Sequence, residues 1–255
     1  MTTKRRSPLV LIIAGLVLLG MIGGAAGLAY LFLRAAPPPT VGVATASPGV
    51  SQPASTASVL ATGAAGTIGS DGLDGTWTLD TTIGSFADFS SSFVGYRVDE
   101  TFADSRANTA VGRTPTVSGS LVLAGSSITA VEVMADLTDL ESDDDRRDGR
   151  LREQAIETGR FPTATFRLTA PIDLGSVPAD GSTFTANATG ELTLHGVTRP
   201  VALPIEARLS GDVVTVTGSL DVAFADYAIE RPTSFLVLSI EDHGVMELQL
   251  HFRRG

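Results

Sequence analysis

The sequence TGELTLHGVTRPVALPIEA, residues Thr189–Ala207, decides the fold of this chain. Apolar residues alternate with polar ones on both sides of a polar break, a period of two that is typical of half-buried β-strands. Gly196 is free to take a positive φ and Pro200 fixes φ where the chain becomes extended again, so His195–Pro200 is predicted to connect the two strands. The stretch therefore predicts a β-hairpin with one apolar face.

Outside the hairpin, the same alternation marks further strands separated by turn residues. No strand–helix–strand rhythm is present, which excludes a parallel sheet and favours an all-β antiparallel barrel or sandwich. The apolar phases of these strands are Leu121 and Leu123; Val131, Val133, Ala135 and Leu137; Ala164, Phe166 and Leu168; Val214, Val216, Leu220, Val222 and Phe224; and Met246, Leu248, Leu250 and Phe252.

One short helix is predicted from about Asp144 to Glu157. Ser142 or Asp143 can cap its first turn, where acidic side chains favour the helix dipole, and Gly159 stands just beyond its end. The acidic run at its start does not fit a calcium loop, because the twelfth position counted from Asp143 is Gln154 and not a glutamate.

The literal residues resemble a known family. ELTLHGVTRPV, from Glu191, resembles the LTIHGVT(R/K)PV signature of the YceI family of periplasmic or secreted proteins. SDDDRRDGRLREQAIETGRFPTATF, residues Ser142–Phe166, is similar to the second block of that family, in which an Arg-Asp pair opens a short helix before a strand. From about Asp74 onward, the resemblance implies a lipocalin-like barrel of about eight strands that holds a long apolar molecule, typically a polyisoprenoid.

The resemblance breaks at the start of the domain. Family members commonly begin there with a D-x-x-H-S-x-(V/I)-x-F pattern and a second histidine, whereas this chain reads TWTLDTTIGSFADF from Thr76, a stretch without histidine. We therefore carry over the fold and the ligand class but no polar contact to a ligand. Relatives are often homodimers, which makes a homodimer one expectation for this chain.

The N-terminal third differs sharply in composition from the rest. Residues 1–6 form a basic stub, and residues 7–34 read as a transmembrane signal anchor because Ser7–Leu33 is uncharged and, at about 1.5 Å per residue, long enough for a tilted span of a core of about 30 Å. The basic stub places the N-terminus in the cytoplasm and all residues after Arg34 outside. Cleavage near Gly23–Ala29, followed by secretion, is the alternative.

Residues 35–70 contain no charge and are rich in Ala, Pro, Ser and Thr, so they predict a disordered linker. All 28 acidic residues lie at or beyond Asp71, and residues 71–255 form the predicted barrel domain. Without Lys4, Arg5, Arg6 and Arg34, 14 of the 18 basic residues remain against those 28 acids. Such a negative surface disfavours nucleic acid as a partner.

The residue pattern offers little for catalysis. The chain has no cysteine, which excludes thiolate metal sites and a cysteine nucleophile. Its three histidines, His195, His243 and His251, are not paired at ligand spacing, and no GxSxG elbow is present. We therefore expect no enzyme activity, no catalytic residue, no metal and no cofactor.

These observations together predict an extracytoplasmic, membrane-tethered protein of the cell membrane that binds an amphiphilic isoprenoid-type lipid or another long apolar ligand. The alternative is a cell-surface protein-interaction module with a filled barrel and no ligand. From apolar phase and strand position, the residues predicted to line the ligand site are Phe93, Phe166, Leu192, Leu194, Val222 and Phe224.

Overall fold

The computed structural model describes residues 37–42, 73–234 and 237–255. The predicted stub, the predicted transmembrane anchor of residues 7–34 and most of the predicted linker lie outside these ranges. Among the described residues, no helix has the length and apolar character needed to cross a bilayer.

Within the described residues, thirteen strands form a single sheet in which every pairing is antiparallel. The strands are β1 (Gly75–Leu79), β2 (Phe93–Phe102), β3 (Ala107–Thr114), β4 (Val117–Ala124), β5 (Ser127–Asp136), β6 (Glu141–Ser142), β7 (Thr163–Leu168), β8 (Ile172–Asp173), β9 (Thr183–Leu194), β10 (Val197–Ser210), β11 (Val213–Ala223), β12 (Val237–Ile240) and β13 (His243–Arg254).

The sheet closes into a barrel because β1 pairs with both β4 and β13. The closed ring runs β1–β4–β5–β7–β9–β10–β11–β13, which makes eight strands. β1 and β2 pair with successive parts of the same edge of β13. β3 pairs with β2, and the chain then turns into β4. The predicted all-β antiparallel barrel with one short helix is confirmed.

The decisive hairpin is formed by β9 and β10, but its turn is shorter than predicted. His195 and Gly196 alone make the turn, with φ of 51° and 73°, the backbone of a two-residue type I′ connection. The predicted six-residue connection His195–Pro200 is therefore wrong, and Pro200 lies within β10 opposite Glu191. Sequence reasoning missed this because a non-glycine residue rarely takes a positive φ.

Side-chain contacts hold His195 in this conformation. Its Nδ1 lies 2.9 Å from the Tyr227 carbonyl oxygen, and its Nε2 lies 2.9 Å from a carboxylate oxygen of Glu157. The ring is 7% exposed and meets the Phe161 ring edge-on, with 4.4 Å between centroids. His195 is thus buried, and its ring connects the hairpin turn to Glu157, Phe161 and Tyr227.

Arg199, from the same motif, adds a second contact between the hairpin and the segment that contains Tyr227. Its Nε donates to the Asp226 carbonyl oxygen at 3.0 Å. Asp226 and Tyr227 belong to a 3-10 helix, Phe224–Tyr227, that follows β11 at the end of the barrel where β9 turns into β10. We call this end the hairpin end. The motif therefore fastens the 3-10 helix to the hairpin end of the barrel.

The helix α1 spans Asp145–Arg150 and passes into a π-helical turn, Leu151–Ala155. Its cap is Asp144, which accepts from the backbone N–H groups of Arg146 and Arg147. Neither of the predicted caps, Ser142 and Asp143, caps the helix. The Ser142 hydroxyl donates to Asp148, and the Asp143 carboxylate accepts from the Arg147 guanidinium. The helical segment ends two residues before the predicted Glu157, which has a φ of 50°.

Strand β13 is buried on both faces. On the inner face, Leu250 and Phe252 are each 2% exposed and belong to the main hydrophobic core. On the outer face, the connection between β1 and β2 covers Gln249 and His251. Gln249 Nε2 donates to the carbonyl oxygens of Phe89 and Ser91.

His251 is 0% exposed and its tautomer follows from its partners. Nε2 lies 2.9 Å from the Ser90 carbonyl oxygen, which can only accept, so this nitrogen carries the proton. Nδ1 then accepts from the Thr215 hydroxyl at 2.9 Å. Burial lowers the pKa of His251 below its usual value.

We expect His195→Ala to lower the free energy of unfolding by about 2–3 kcal/mol, because it leaves buried polar groups without partners and removes packing against Phe161. Urea unfolding measures this loss, and hydrogen exchange should accelerate in residues 224–228. His243→Ala is the control: its imidazole is exposed, and its effect should stay within about 0.5 kcal/mol. Equal stability of the two variants would contradict the role assigned to His195.

His251 also predicts a pH dependence. Below about pH 6.5 the unfolded chain binds a proton on this histidine, whereas the folded chain resists it, so acid lowers stability in this window. Between about pH 7.5 and about pH 5.5, His251→Gln should lose less unfolding free energy than the wild type, because glutamine does not titrate. The same comparison with His243→Gln should not reduce the loss, since Asp242 raises the pKa of His243. Identical pH profiles for wild type and His251→Gln would exclude this linkage.

Candidate ligand-binding interior

The inner face of the barrel is apolar on every strand of the ring. Alternate residues of each strand point inward and form a main core, which includes Trp77, Leu121, Phe166 and Phe252. A smaller cluster of Leu192, Val222 and Tyr227 lies at the hairpin end. Leu194, Val201, Leu220 and Met246 pack against both clusters and so make the inner face continuous.

The inward side chains of the barrel differ in how tightly they pack, and most of the partly buried ones lie on β9, β10, β11 and β13. On β4, β5 and β7, the inward residues Leu121, Val133 and Phe166 are 4%, 7% and 8% exposed. On β10, β11 and β13, several inward aliphatic side chains are only partly buried: Val201, Ile205, Val216, Leu220 and Met246. We call these five residues the accessible stripe. A close-packed interior would bury them fully, so their residual exposure indicates space beside this wall.

Three of the six predicted lining residues come together at the hairpin end. Leu192 and Val222 are 2% and 6% exposed in the smaller cluster, and the partly buried Leu194 packs against them. Phe166 lies in the main core, and its ring occupies the space that a side chain at Gly190 would fill. All four lie on the inner face; their contact with a ligand stays a prediction.

The other two predicted residues lie elsewhere. Phe224 is beyond the end of β11, half-buried in the 3-10 helix, with its ring close to Gly244. Phe93 is 1% exposed but faces outward, because its neighbour Val94 takes the inward position. The β1–β2 connection covers this part of the outer face, so an outward residue here can be apolar and buried. The sequence pattern therefore predicted Phe93 as inward-facing.

Polar side chains meet at the hairpin end, beneath α1. Arg147 Nη2 donates to Glu100 at 3.0 Å, and Glu100 also accepts from Asn108 at 2.7 Å. Asp148 is 3% exposed and accepts from both the backbone N–H and the hydroxyl of Ser142. Every polar group named here has a partner, as burial requires.

Tyr96 lies beside these polar side chains but, unlike them, lacks a hydrogen-bond partner among the described residues. It lies on the inner phase of β2, opposite Met246 of the accessible stripe, and its ring is half-buried. Its hydroxyl oxygen is buried and, among the described residues, has no hydrogen-bond partner. Burial raises the pKa of Tyr96 far above its usual value of 10.0, so the hydroxyl is a neutral donor.

Sequence reasoning missed Tyr96, although one signal was available. Gly112 lies opposite Tyr96 in β3, and a Cβ there would lie 2.9 Å from the phenolic oxygen. Glycine inside a strand often marks such a close approach. Gly95 marks another on the outer face, where Arg113 crosses it to reach Glu247.

The outer face carries a buried ionic group made of Glu247 and two arginines. Glu247 is 1% exposed and accepts from Arg97 at 2.7 Å and from Arg113 at 2.6 Å. The guanidinium of Arg113 lies against the rings of Phe89 and Phe93, 4.4 and 4.3 Å from their centroids. One carboxylate is thus shared by two cations, which leaves donors available for other acceptors.

The segment Pro38–Gly42 supplies some of those acceptors. Arg97 Nη2 donates to the carbonyl oxygens of Pro38 and Pro39, each at 2.6 Å, and Arg113 reaches Pro39 at 3.2 Å. Val41 borders an open groove of about 460 Å³ over the outer face of β9, β10 and β11. The groove has polar walls that include Asn187 and Glu206, which suit a long apolar chain poorly.

One cluster of potential metal ligands is found among the described residues, at Glu241, Asp242 and His243. All three are exposed, and His243 Nδ1 is already 3.0 Å from Asp242 Oδ1. Exposed acidic groups of this kind are common without a metal, and the cluster lies in a loop away from the apolar interior.

Comparison with known proteins supports the resemblance seen in the sequence. The family model described as YceI-like domain matches residues 77–252. A UPF0312 protein of Vibrio parahaemolyticus is 32% identical over 141 residues, covering 52% of this chain and 71% of that protein. Protein YceI of Escherichia coli is 39% identical over 82 residues, covering 32% of this chain and 38% of that protein.

Among solved structures, a polyisoprenoid binding domain from Saccharophagus degradans, implicated in plant cell wall breakdown, has a similar fold. The TM-score is 0.55 at 22% identity, with 70% of this chain and 98% of that chain covered. At this identity the likeness concerns the fold alone. Since the family model matches more than half of the residues, the chain belongs to the YceI-like domain family.

Proposed function

We propose that this protein is a lipid-binding protein that holds an amphiphilic isoprenoid-type molecule, or another long apolar ligand, inside its barrel. The accessible stripe carries the proposal, because it gives one inner wall apolar side chains that are not fully packed. An apolar chain that leaves water gains about 0.8 kcal/mol for each buried methylene, so binding needs no chemistry. The ligand named for the Saccharophagus degradans domain, a polyisoprenoid, is of this class.

The proposal includes a location, on the outer side of a cytoplasmic membrane with residues 7–34 as the anchor. It rests on the uncharged stretch Ser7–Leu33 and on the basic residues before it. Binding at that place fits a carrier or a reservoir for a membrane lipid. A homodimer stays a prediction.

A second candidate function is a protein-interaction module without a ligand. The groove beside Val41 favours it, because it is an open surface feature separate from the barrel interior. The two candidates differ in whether lipid accompanies the purified protein.

Native mass spectrometry of the full chain, followed by lipid extraction, tests the first proposal. We expect the wild type to carry a long-chain lipid and Leu220→Trp to retain at least about tenfold less, because the indole fills space beside the accessible stripe. Ser219→Trp is the matched control: it places the same ring on the exposed outer phase of the same strand and should retain lipid as the wild type does.

A barrel that repeatedly yields no lipid, and gains no thermal stability from added polyprenyl compounds, would refute lipid binding and favour the interaction module. Undiminished lipid in Leu220→Trp would place the ligand away from the accessible stripe, and loss from Ser219→Trp alone would place it in the groove beside Val41, which Ser219 lines. Circular dichroism should show the same β-sheet content for both variants.

The location has its own test. In cells that express the full chain, we expect the protein to stay with membranes after alkaline carbonate washing, and protease added to spheroplasts to digest the barrel domain. Recovery in the medium would support cleavage near Gly23–Ala29, and protection from protease would exclude the proposed orientation.

A further inference from the structure

The unpartnered hydroxyl of Tyr96 is the least explained polar atom on the inner face. A buried hydroxyl without a hydrogen bond destabilises a fold, so a retained one needs a reason. Gly112 provides the room that this side chain needs, since any Cβ there would collide with the ring. The glycine at this position therefore accommodates the phenol ring against β3.

Tyr96 stands where the apolar wall meets the polar group under α1. Across the sheet it faces Met246 of the accessible stripe, and Leu220, which pairs with Met246, lies one strand further away. On its other side are Glu100 and Arg147, whose charges act on the phenol. The ring of Tyr96 extends over Gly112 of β3, away from Met246, so a molecule with its apolar chain along the stripe would have to pass across β2 to bring its polar end to this hydroxyl.

We propose that the Tyr96 hydroxyl donates a hydrogen bond to the uncharged polar head of the lipid in the barrel, a carbonyl or hydroxyl oxygen rather than a phosphate or carboxylate. This inference rests on the proposed function and names the ligand class of the same site.

The surrounding charges select against an anionic head. The ionisable groups that act most strongly on Tyr96 are one base, Arg147, and three acids: Glu100, Asp143 and Asp148. Arg147 is already bonded to Glu100 and Asp143, so its charge is compensated. A phosphate here would meet excess negative charge and no available cation in this group, whereas a neutral oxygen needs only the donor that Tyr96 offers.

The experiment compares the wild-type full chain with Tyr96→Phe, which removes only the hydroxyl. The four probes are decylubiquinone, geranylgeraniol, geranylgeranyl phosphate and the hydrocarbon phytane. Native mass spectrometry with each probe added in turn measures the binding of all four independently.

We expect Tyr96→Phe to weaken decylubiquinone and geranylgeraniol binding by about five- to tenfold, the effect of one hydrogen bond, and to leave phytane within about twofold. The wild type should bind geranylgeraniol at least about fivefold more tightly than geranylgeranyl phosphate. Without ligand, Tyr96→Phe should unfold at the same temperature as the wild type or higher, because it loses an unpartnered group.

Unchanged binding of the quinone and the alcohol to Tyr96→Phe, or tighter wild-type binding of the phosphate than of the alcohol, would overturn this inference and leave lipid binding intact. Equal weakening of phytane would also overturn it, since the hydroxyl would then act on packing and not on a head group. Wild-type protein that binds none of the four probes would refute the proposed function itself.

Discussion

Closure of the barrel depends on β13, the strand with neighbours on both edges and cover on both faces. β11 pairs along one edge, and β1 and β2 share the other. The strand therefore cannot alternate between apolar and solvated positions as an ordinary antiparallel strand does. Its outward side chains Glu247, Gln249 and His251 are polar but buried, and each is matched to a specific partner.

The sequence was most informative where a strand obeys a simple period. The inward phase of β9 and β11 could be predicted because one face of each strand packs on the core, so Leu192, Leu194 and Val222 alternate with polar residues. The family motif also located the hairpin, since its glycine and proline constrain the backbone. The all-β antiparallel class and the inner wall at the hairpin end follow from these residues, whereas the choice of a barrel over a sandwich came from the family resemblance.

Prediction failed where a second layer covers the sheet or where conformation depends on distant contacts. Phe93 points outward, yet the chain that covers it gives it an apolar environment. His195 adopts a left-handed backbone because Tyr227 and Glu157 hold its ring, and neither is near it in sequence. The glycines opposite Tyr96 and Arg113 were readable as signs of close approach, but which side chain approaches is decided by strand register, which only the structure gives.

The pairing of β1 with β13 joins the two ends of the domain, with Trp77 opposite Arg254. Such a fold has a high contact order, and loop-closure entropy makes it slow to form. During synthesis, β1 and β11 present unpaired edges until the residues of β13 have left the ribosome and, if secreted, crossed the membrane. Under the proposed function, enclosure of a lipid would then be an event late in folding, and the open precursor would offer a long apolar chain a wider entrance than the finished barrel does.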